Sequence, residues 1–263
     1  MKGRVLIVAG SDSGGGAGIQ GDIKTVSALG GYAMTAITAL TAQNTLGVFD
    51  IMPIPAAFVA RQMQVVLDDL GADAIKTGML HDSTVIDAVA AVLNSIAREI
   101  PLVVDPVMIA KGGAALLDQT ALDSLRRLLP RAALLTPNIP EAEALLGRKI
   151  LGVDGMIAAA RELLATGAAA VLLKGGHGEG AIVTDILASP EGINRFESPR
   201  IESRHTHGTG CALASAIATG LAQDLPLSEA VARARTYVLE AIRAAPGLGA
   251  GHGPLNHGHG RCH

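Results

Sequence analysis

Val5-Leu6-Ile7-Val8-Ala9 runs directly into Gly10-Ser11-Asp12-Ser13-Gly14-Gly15-Gly16-Ala17-Gly18, and the next residues carry Ile19, Ile23, Val26 and Leu29 at helical spacing before Gly30-Gly31. A short unbroken apolar run bounded by glycine marks a strand buried on both faces, as in a parallel sheet. Apolar residues three and four apart then lay one stripe of a helix on that sheet, and the paired glycines end it. The stretch reads as strand, glycine loop, helix, with the strand at the centre of the sheet. A dinucleotide fingerprint does not fit, because the glycine spacing is wrong and no acidic residue closes a second strand about 20 residues further on.

The same alternation continues outward. Apolar and small residues alternate over 33–40, predicting a second strand that ends at Thr41-Ala42-Gln43-Asn44-Thr45, and 48–53 predicts another. Short apolar runs at 74–77, 102–104, 133–136 and 169–173 predict buried strands. Helical periodicity covers 56–70, 83–97 with Asp82 or Ser83 as cap, 119–129 and 156–166. Residues 181–187 and 193–196 read as a hairpin, and helices at 210–223 and 228–244 close the chain. A predominantly βα order implies an α/β fold whose mostly parallel central sheet has helices on both sides.

Composition narrows the function. The chain has 263 residues, 49% hydrophobic and 17% charged, a size and balance expected of one folded domain. No apolar run reaches the roughly 18 residues a membrane span needs. A net charge of -3, no long basic block, and 2% aromatics with no Trp argue against nucleic acid as a partner. A small molecule is the better match. No signal-peptide pattern is evident and two cysteines make no disulfide framework, so a cytoplasmic protein is expected. Lys111-Gly112-Gly113-Ala114 reads as a flexible loop. The Gly/His-rich tail from about 247 carries His252, His257, His259, Cys262 and His263, at spacings unlike a zinc site; a flexible or loosely docked end is expected.

The chemistry concentrates in His205-Thr206-His207-Gly208-Thr209-Gly210-Cys211, followed by the small-residue run 212–217. Two glycines let backbone N–H groups converge, and a helix starting there adds the positive end of its dipole, which makes an anion hole. Cys211 falls in the first helical turn, where the dipole favours a thiolate and makes it a candidate base. The alternative is a plain turn with a small buried cysteine. Beyond it, polar residues stand at successive strand ends: Gln43-Asn44, Met79, Asp105, Asn138 with Glu141, and Lys174-Gly175-Gly176. In a doubly wound sheet those ends share one edge, so the residues describe an elongated cleft. Taken alone, Glu141 fits a helix-dipole role equally well.

So placed, the chain resembles the hydroxymethylpyrimidine and phosphomethylpyrimidine kinases of thiamine biosynthesis, in the ribokinase-like superfamily. The blocks that carry the resemblance run in order over nearly the whole chain: Ala9-Gly10-Ser11-Asp12-Ser13, Gly15-Gly16-Ala17-Gly18-Ile19-Gln20, Thr41-Ala42-Gln43-Asn44-Thr45, Lys76-Thr77-Gly78-Met79-Leu80, Asp105-Pro106-Val107-Met108, Thr136-Pro137-Asn138-Ile139-Pro140-Glu141, Lys174-Gly175-Gly176-His177 and His207-Gly208-Thr209-Gly210-Cys211. Gly14 departs from the serine usual in the glycine loop. The resemblance implies a ribokinase-like three-layer α/β/α sandwich that uses ATP and Mg²⁺. Its implied reactions are phosphorylation of 4-amino-5-hydroxymethyl-2-methylpyrimidine and then of the monophosphate. It also implies that Gln43, Gly10, Asp22, Met79 and Val107 bind the pyrimidine, and that Asp105, Glu141 and Asn138 manage Mg²⁺ and phosphates. Lys174, Gly175 and Gly176 would lie near the nucleotide, Gly208, Thr209, Gly210 and Cys211 would form the anion hole, and the protein would be a homodimer. The wider superfamily usually has aspartate at the Cys211 position, and the pyrimidine kinases share the cysteine. A pyridoxal-type vitamin kinase and a non-catalytic vitamin-binding protein are the competing readings.

Overall fold

The computed structural model describes residues 2–108, 119–178 and 180–260; the 111–114 loop, Cys262 and His263 lie outside these. The apolar run at the start of the chain forms β1 (Arg4–Asp12). It is flanked in parallel by β2 (Tyr32–Asn44) and β4 (Ala74–Thr77), with β3 (Gly47–Pro53) antiparallel on β2. β5 (Leu102–Val104), β6 (Leu134–Leu135) and β7 (Val171–Leu173) extend the parallel sheet, and β8 (Ile182–Ser189) and β9 (Gly192–Pro199) finish it as an antiparallel hairpin. The order across the sheet is β3-β2-β1-β4-β5-β6-β7-β8-β9.

The period-2 geometry of β1 divides the core in two. Leu6 and Val8 join a cluster with α2 (Ala56–Asp69), α3 (Ser83–Ser95), α4 (Gln119–Leu128), α5 (Ile139–Leu146) and α6 (Gly152–Leu164). Val5, Ile7 and Ala9 face the opposite layer, α1 (Gly18–Ala28), α7 (Thr209–Ala222) and α8 (Leu227–Arg243). This is a three-layer α/β/α sandwich. The alanine-rich run of α7 has a steric cause: Ala214, Ala216 and Ala218 are wholly buried, and a Cβ on Gly220 would stand 2.7 Å from Ala230 Cβ of α8. Small side chains let α7 lie close between sheet and α8. Among the described residues, no helix is long and apolar enough to cross a membrane.

One expectation gains detail and another changes. β1 and β2 continue past the sheet body, pairing Ser11 with Leu40 and Asp12 with Thr41 after a register irregularity between Ala9 and Ser11. Gln43 and Asn44 are the last residues of β2, at a strand end as expected, and β3 folds back along β2 and supplies their backbone partners. The tail is docked, not loose. A Cβ on Gly251 would meet the Thr45 carbonyl oxygen at 2.1 Å, and one on Gly253 would meet His205 Nδ1 at 2.2 Å. The glycines are there because no side chain fits. Pro254 bridges to His207, the Asn256 N–H donates to the Ala241 carbonyl, and the Tyr237 hydroxyl donates to the His257 carbonyl. Among the described residues, no group of three metal-ligating side chains forms.

Docking buries His257, and burial, with the charges of Lys24, His207 and His259, lowers its pKa to about 4. The unfolded chain takes up that proton near pH 6.5, so the stability associated with a neutral His257 is complete above pH 6.5 and is lost as pH falls toward 4. Urea unfolding of the wild type is expected to weaken more between pH 7 and pH 5 than that of His257→Gln. Parallel pH dependence in the two proteins would show that His257 does not control it.

Candidate active site

The carboxyl ends of the parallel strands open into a cavity of about 820 Å³. Gly10 comes from β1, Gln43 from β2, Met79 from beyond β4, and Asp105 and Val107 from beyond β5. Asn138 and Glu141 follow β6, Lys174 and Gly176 follow β7, and Gly208, Thr209, Gly210 and Cys211 open α7. Asn44 does not line it, nor do two of the site residues that the family resemblance implies. Asp22 is wholly buried beneath, and Gly175 serves packing: its Cβ would collide with the Thr184 carbonyl oxygen at 1.9 Å.

At the centre, Asp105 Oδ1 accepts from Lys174 Nζ at 2.8 Å and from Thr136 Oγ1 at 3.1 Å. A Cβ on Gly210 would stand 3.3 Å from that Nζ and 3.9 Å from Asp105 Oδ2, so the start of α7, the lysine and the carboxylate converge on one point. Helix α7 begins at Gly208 with no capping side chain; the Thr209 N–H donates to the Thr206 carbonyl at 3.4 Å, and the positive end of the helix faces the cleft, where it favours an anion. Burial opposes the Lys174 charge, but Asp105 and Glu141 outweigh it and hold its pKa above the ordinary lysine value. Glu141 has a local role as well: it accepts the Asn138 N–H at 2.7 Å while Asn138 Oδ1 accepts the Glu141 N–H at 2.9 Å, a capping box for α5. Burial, with Asp105 close by, pushes Glu141 up to about 7 against the pull of Lys174.

Cys211 stands near the start of two helices, because Gly18 at the head of α1 also acts to favour its anion. The expected thiolate is nevertheless not the resting form. Burial pushes the thiol up to about 12; Lys76 pulls the other way, and Asp22 and Asp105 add to the rise. A dipole effect limited to one helical turn does not offset the lost hydration. Lys76, which the sequence reading passed over, reaches the cavity wall and binds Asp22 at 2.8 Å, and Ser215 Oγ of α7 donates to the other Asp22 oxygen at 2.7 Å. Its signal was one charged residue inside the apolar run of β4.

Asp12 was also missed as a functional position. Its carboxylate accepts from the N–H groups of Gly14, Gly16 and Ala17 and from His207 Nε2. The first glycine loop is thus filled by the protein's own anion, and the loop at Gly208 remains the open one. Burial raises the Asp12 pKa, but His207 and the Ala17 and Gly14 N–H groups outweigh it and leave it below the carboxylate norm. His207 Nε2 also lies 3.3 Å from Gln43 Nε2, joining the two loops to the Gln43 end. On the side of α8 the wall combines apolar Val238, Leu239 and Ile242 with Arg235, which pairs with Asp185 of β8.

A phosphomethylpyrimidine kinase family model matches residues 12–256. The chain is 56% identical over 97% of its length to the thiamine biosynthesis bifunctional protein ThiED of Geobacter sulfurreducens, of which it spans about half (52%). It is 44% identical to the hydroxymethylpyrimidine/phosphomethylpyrimidine kinase of Bacillus subtilis, over 97% of this chain and 94% of that one. The crystal structure of phosphomethylpyrimidine kinase from Clostridium difficile 630 superposes with a TM-score of 0.82 at 41% identity, covering 92% of this chain and 100% of that one.

The buried pair under the cleft invites a double-mutant test. Lys76→Met strands the Asp22 charge and is expected to cost about 3–5 kcal/mol of stability. Adding Asp22→Asn should restore part of it in urea denaturation, since the stranded charge is then gone. A double variant no more stable than the single one would mean that Lys76 acts through packing.

Proposed function

The chain belongs to the phosphomethylpyrimidine kinase family, and on that premise we propose that it is a single-domain, cytoplasmic kinase of thiamine biosynthesis. It transfers the terminal phosphoryl group of ATP to the hydroxymethyl oxygen of 4-amino-5-hydroxymethyl-2-methylpyrimidine, then to the phosphate of the product. The observation that carries this reading is the convergence of the uncapped start of α7, Lys174 and Asp105 midway along the cleft. Gln43 and Met79 lie toward one end, where a small heterocycle is held by a polar edge and an apolar face. The apolar residues of the α8 wall suit a nucleotide base at the other end.

In each step an oxygen–phosphorus bond forms at the acceptor as the bond to the β–γ bridging oxygen breaks. Charge spreads over the migrating group in a loose transition state, so fixed N–H dipoles and the Lys174 ammonium supply most of the stabilisation. Asp105 keeps that ammonium in place. The donor set at this point, hard carboxylate oxygens on Asp105 and on Glu141, fits Mg²⁺ retaining part of its water shell. When bound, Mg²⁺ neutralises phosphate charge.

The two steps differ in their need for a base. The hydroxymethyl group must lose a proton, and Cys211 takes it only as the thiolate, after giving up its own proton to solvent; Lys76 and Gly18 favour that anion against the burial that keeps the resting group a thiol. A phosphate monoester is already largely ionised at pH 7, its second pKa lying near 6, and needs no base. Outward from the cleft, Leu46, Phe49 and Met52 on the β2–β3 hairpin and Phe58 and Val65 on α2 are exposed. That much exposed apolar side chain calls for cover, and a second copy of the chain supplies it as a homodimer.

An ADP-release assay offered hydroxymethylpyrimidine, its monophosphate and pyridoxine should show turnover of the first two in preference to the third; turnover of pyridoxine alone would assign a pyridoxal-type kinase, and ligand binding without turnover a non-catalytic protein. Cys211→Ala should slow the first phosphorylation by about 10²-fold and the second much less. Equal losses would remove Cys211 as the base. In sedimentation, Phe49→Glu should shift a dimer toward monomer, and an unchanged dimer would put the interface elsewhere.

A further inference from the structure

The connection from β7 to β8 follows Lys174 and forms part of the cavity wall through Gly176 and His177. It is glycine-rich, and it is fastened at both ends. At its start the Gly175 N–H donates to Asp185 Oδ1 at 2.7 Å, and that buried carboxylate is paired in turn with Arg235 of α8. Further along, a single guanidinium gathers the chain: Arg200 donates from Nη1 to the Gly176 carbonyl at 2.9 Å, from Nη2 to the Gly178 carbonyl at 2.7 Å, and from Nε to the Gly180 carbonyl at 2.8 Å. Three different nitrogens meet three different oxygens, a match only a planar fork makes.

We propose that Arg200 is a positioning residue for the phosphoryl donor, holding the carbonyl oxygens of Gly176, Gly178 and Gly180 beside Lys174 on its guanidinium and not aimed at the polyphosphate. This rests on the function proposed above. Carbonyl oxygens repel phosphate, and glycine peptides turn over more readily than others; the loop's own bond, from the Gly178 N–H to the Gly175 carbonyl at 2.9 Å, holds a different oxygen from the three on Arg200. Bonding to a cation fixes them, because charge-assisted hydrogen bonds are roughly twice as strong as neutral ones. The placement of Arg200 adds a second consequence. It follows the last residue of β9, and its own N–H donates to the Ala181 carbonyl, so the chain that leads on to the Gly208 loop is tied to the loop after Lys174. The two anion-facing segments are thereby kept in register. No residue other than arginine satisfies all three oxygens.

Steady-state kinetics of Arg200→Ala and Arg200→Lys test this. The expected result for both is a KM for ATP raised about 10- to 100-fold, the equivalent of losing one hydrogen bond to a charged group. The KM for hydroxymethylpyrimidine should stay within about twofold, and ethylguanidinium should restore ATP affinity in Arg200→Ala, since it returns a guanidinium to the site. Should the alanine variant fail to fold, Arg200→Lys, which keeps the charge and the aliphatic stem, decides the matter by the same ratio of KM values and by calorimetric titration with MgATP. A wild-type KM for ATP in the lysine variant, or KM values for both substrates rising together, would overturn the proposal. Wild-type protein that releases no ADP with either pyrimidine would instead refute the underlying function, so the two failures are distinct.

Discussion

Helix α7 can begin where it does only because Gly208 has no side chain. Its φ is +87°, and a Cβ there would lie 2.0 Å from the Gly16 carbonyl oxygen. That contact presses the turn before α7 against the loop after β1, and the cleft geometry follows from it. Cys211 is brought to the head of α1, His207 to the Asp12 carboxylate, and Gly210 to Lys174 and Asp105. Side chains at Gly208 or Gly16 would hold the two loops apart, and the dipole of α7 would then point at no particular atom.

The charges around this contact form a graded series. Lys76 with Asp22 is completely enclosed, and Lys174 with Asp105 stands at the cavity wall. Arg235 with Asp185 braces the side nearer α8. Buried ion pairs add little net stability, because desolvation of both partners offsets their attraction. Their distribution here is better explained by what each positions: the enclosed pair lies under Cys211, the half-open pair faces the start of α7, and the third anchors Gly175. Each cation is held by a carboxylate, which fixes its direction without removing its field from the cleft. The same economy appears in the Gly14–Ala17 turn, where a protein carboxylate occupies the amide nest that an outside anion would otherwise fill.

Much of this was legible in the residues themselves. The run 5–9 specified a central strand because a five-residue apolar segment can be solvated on neither face. The strand ends were readable because chain order alone puts them on one edge of a parallel sheet, and Gly10, Gln43, Met79, Asp105, Val107, Asn138, Glu141, Lys174, Gly176 and the Gly208–Cys211 turn do meet there. The three-layer sandwich followed from alternation, and Asn138 and Glu141 stood out as a polar pair where strand gives way to helix, though their capping box came only with the structure. These are properties of local spacing, which short stretches of chain carry by themselves.

What required the folded molecule was anything set by depth or by a partner far along the chain. The Cys211 thiol shifts upward, not downward, because its surroundings exclude water, and no neighbour in sequence records that. Asp22 and Lys76 are 54 positions apart and Asp22 and Ser215 are 193 apart, so their shared burial was invisible until α1, β4 and α7 were packed together. Gly175 looked like phosphate-loop glycine and proves to be one that β8 crowds; the tail glycines looked like slack and prove to be clearance for Thr45 and His205. A glycine carries no mark of its purpose. Sequence determined the order of elements and the edge on which polar groups collect, because both depend on residues close in the chain; charge state, clearance and pairing were decided by the tertiary structure, because each depends on which atoms displace water around a group.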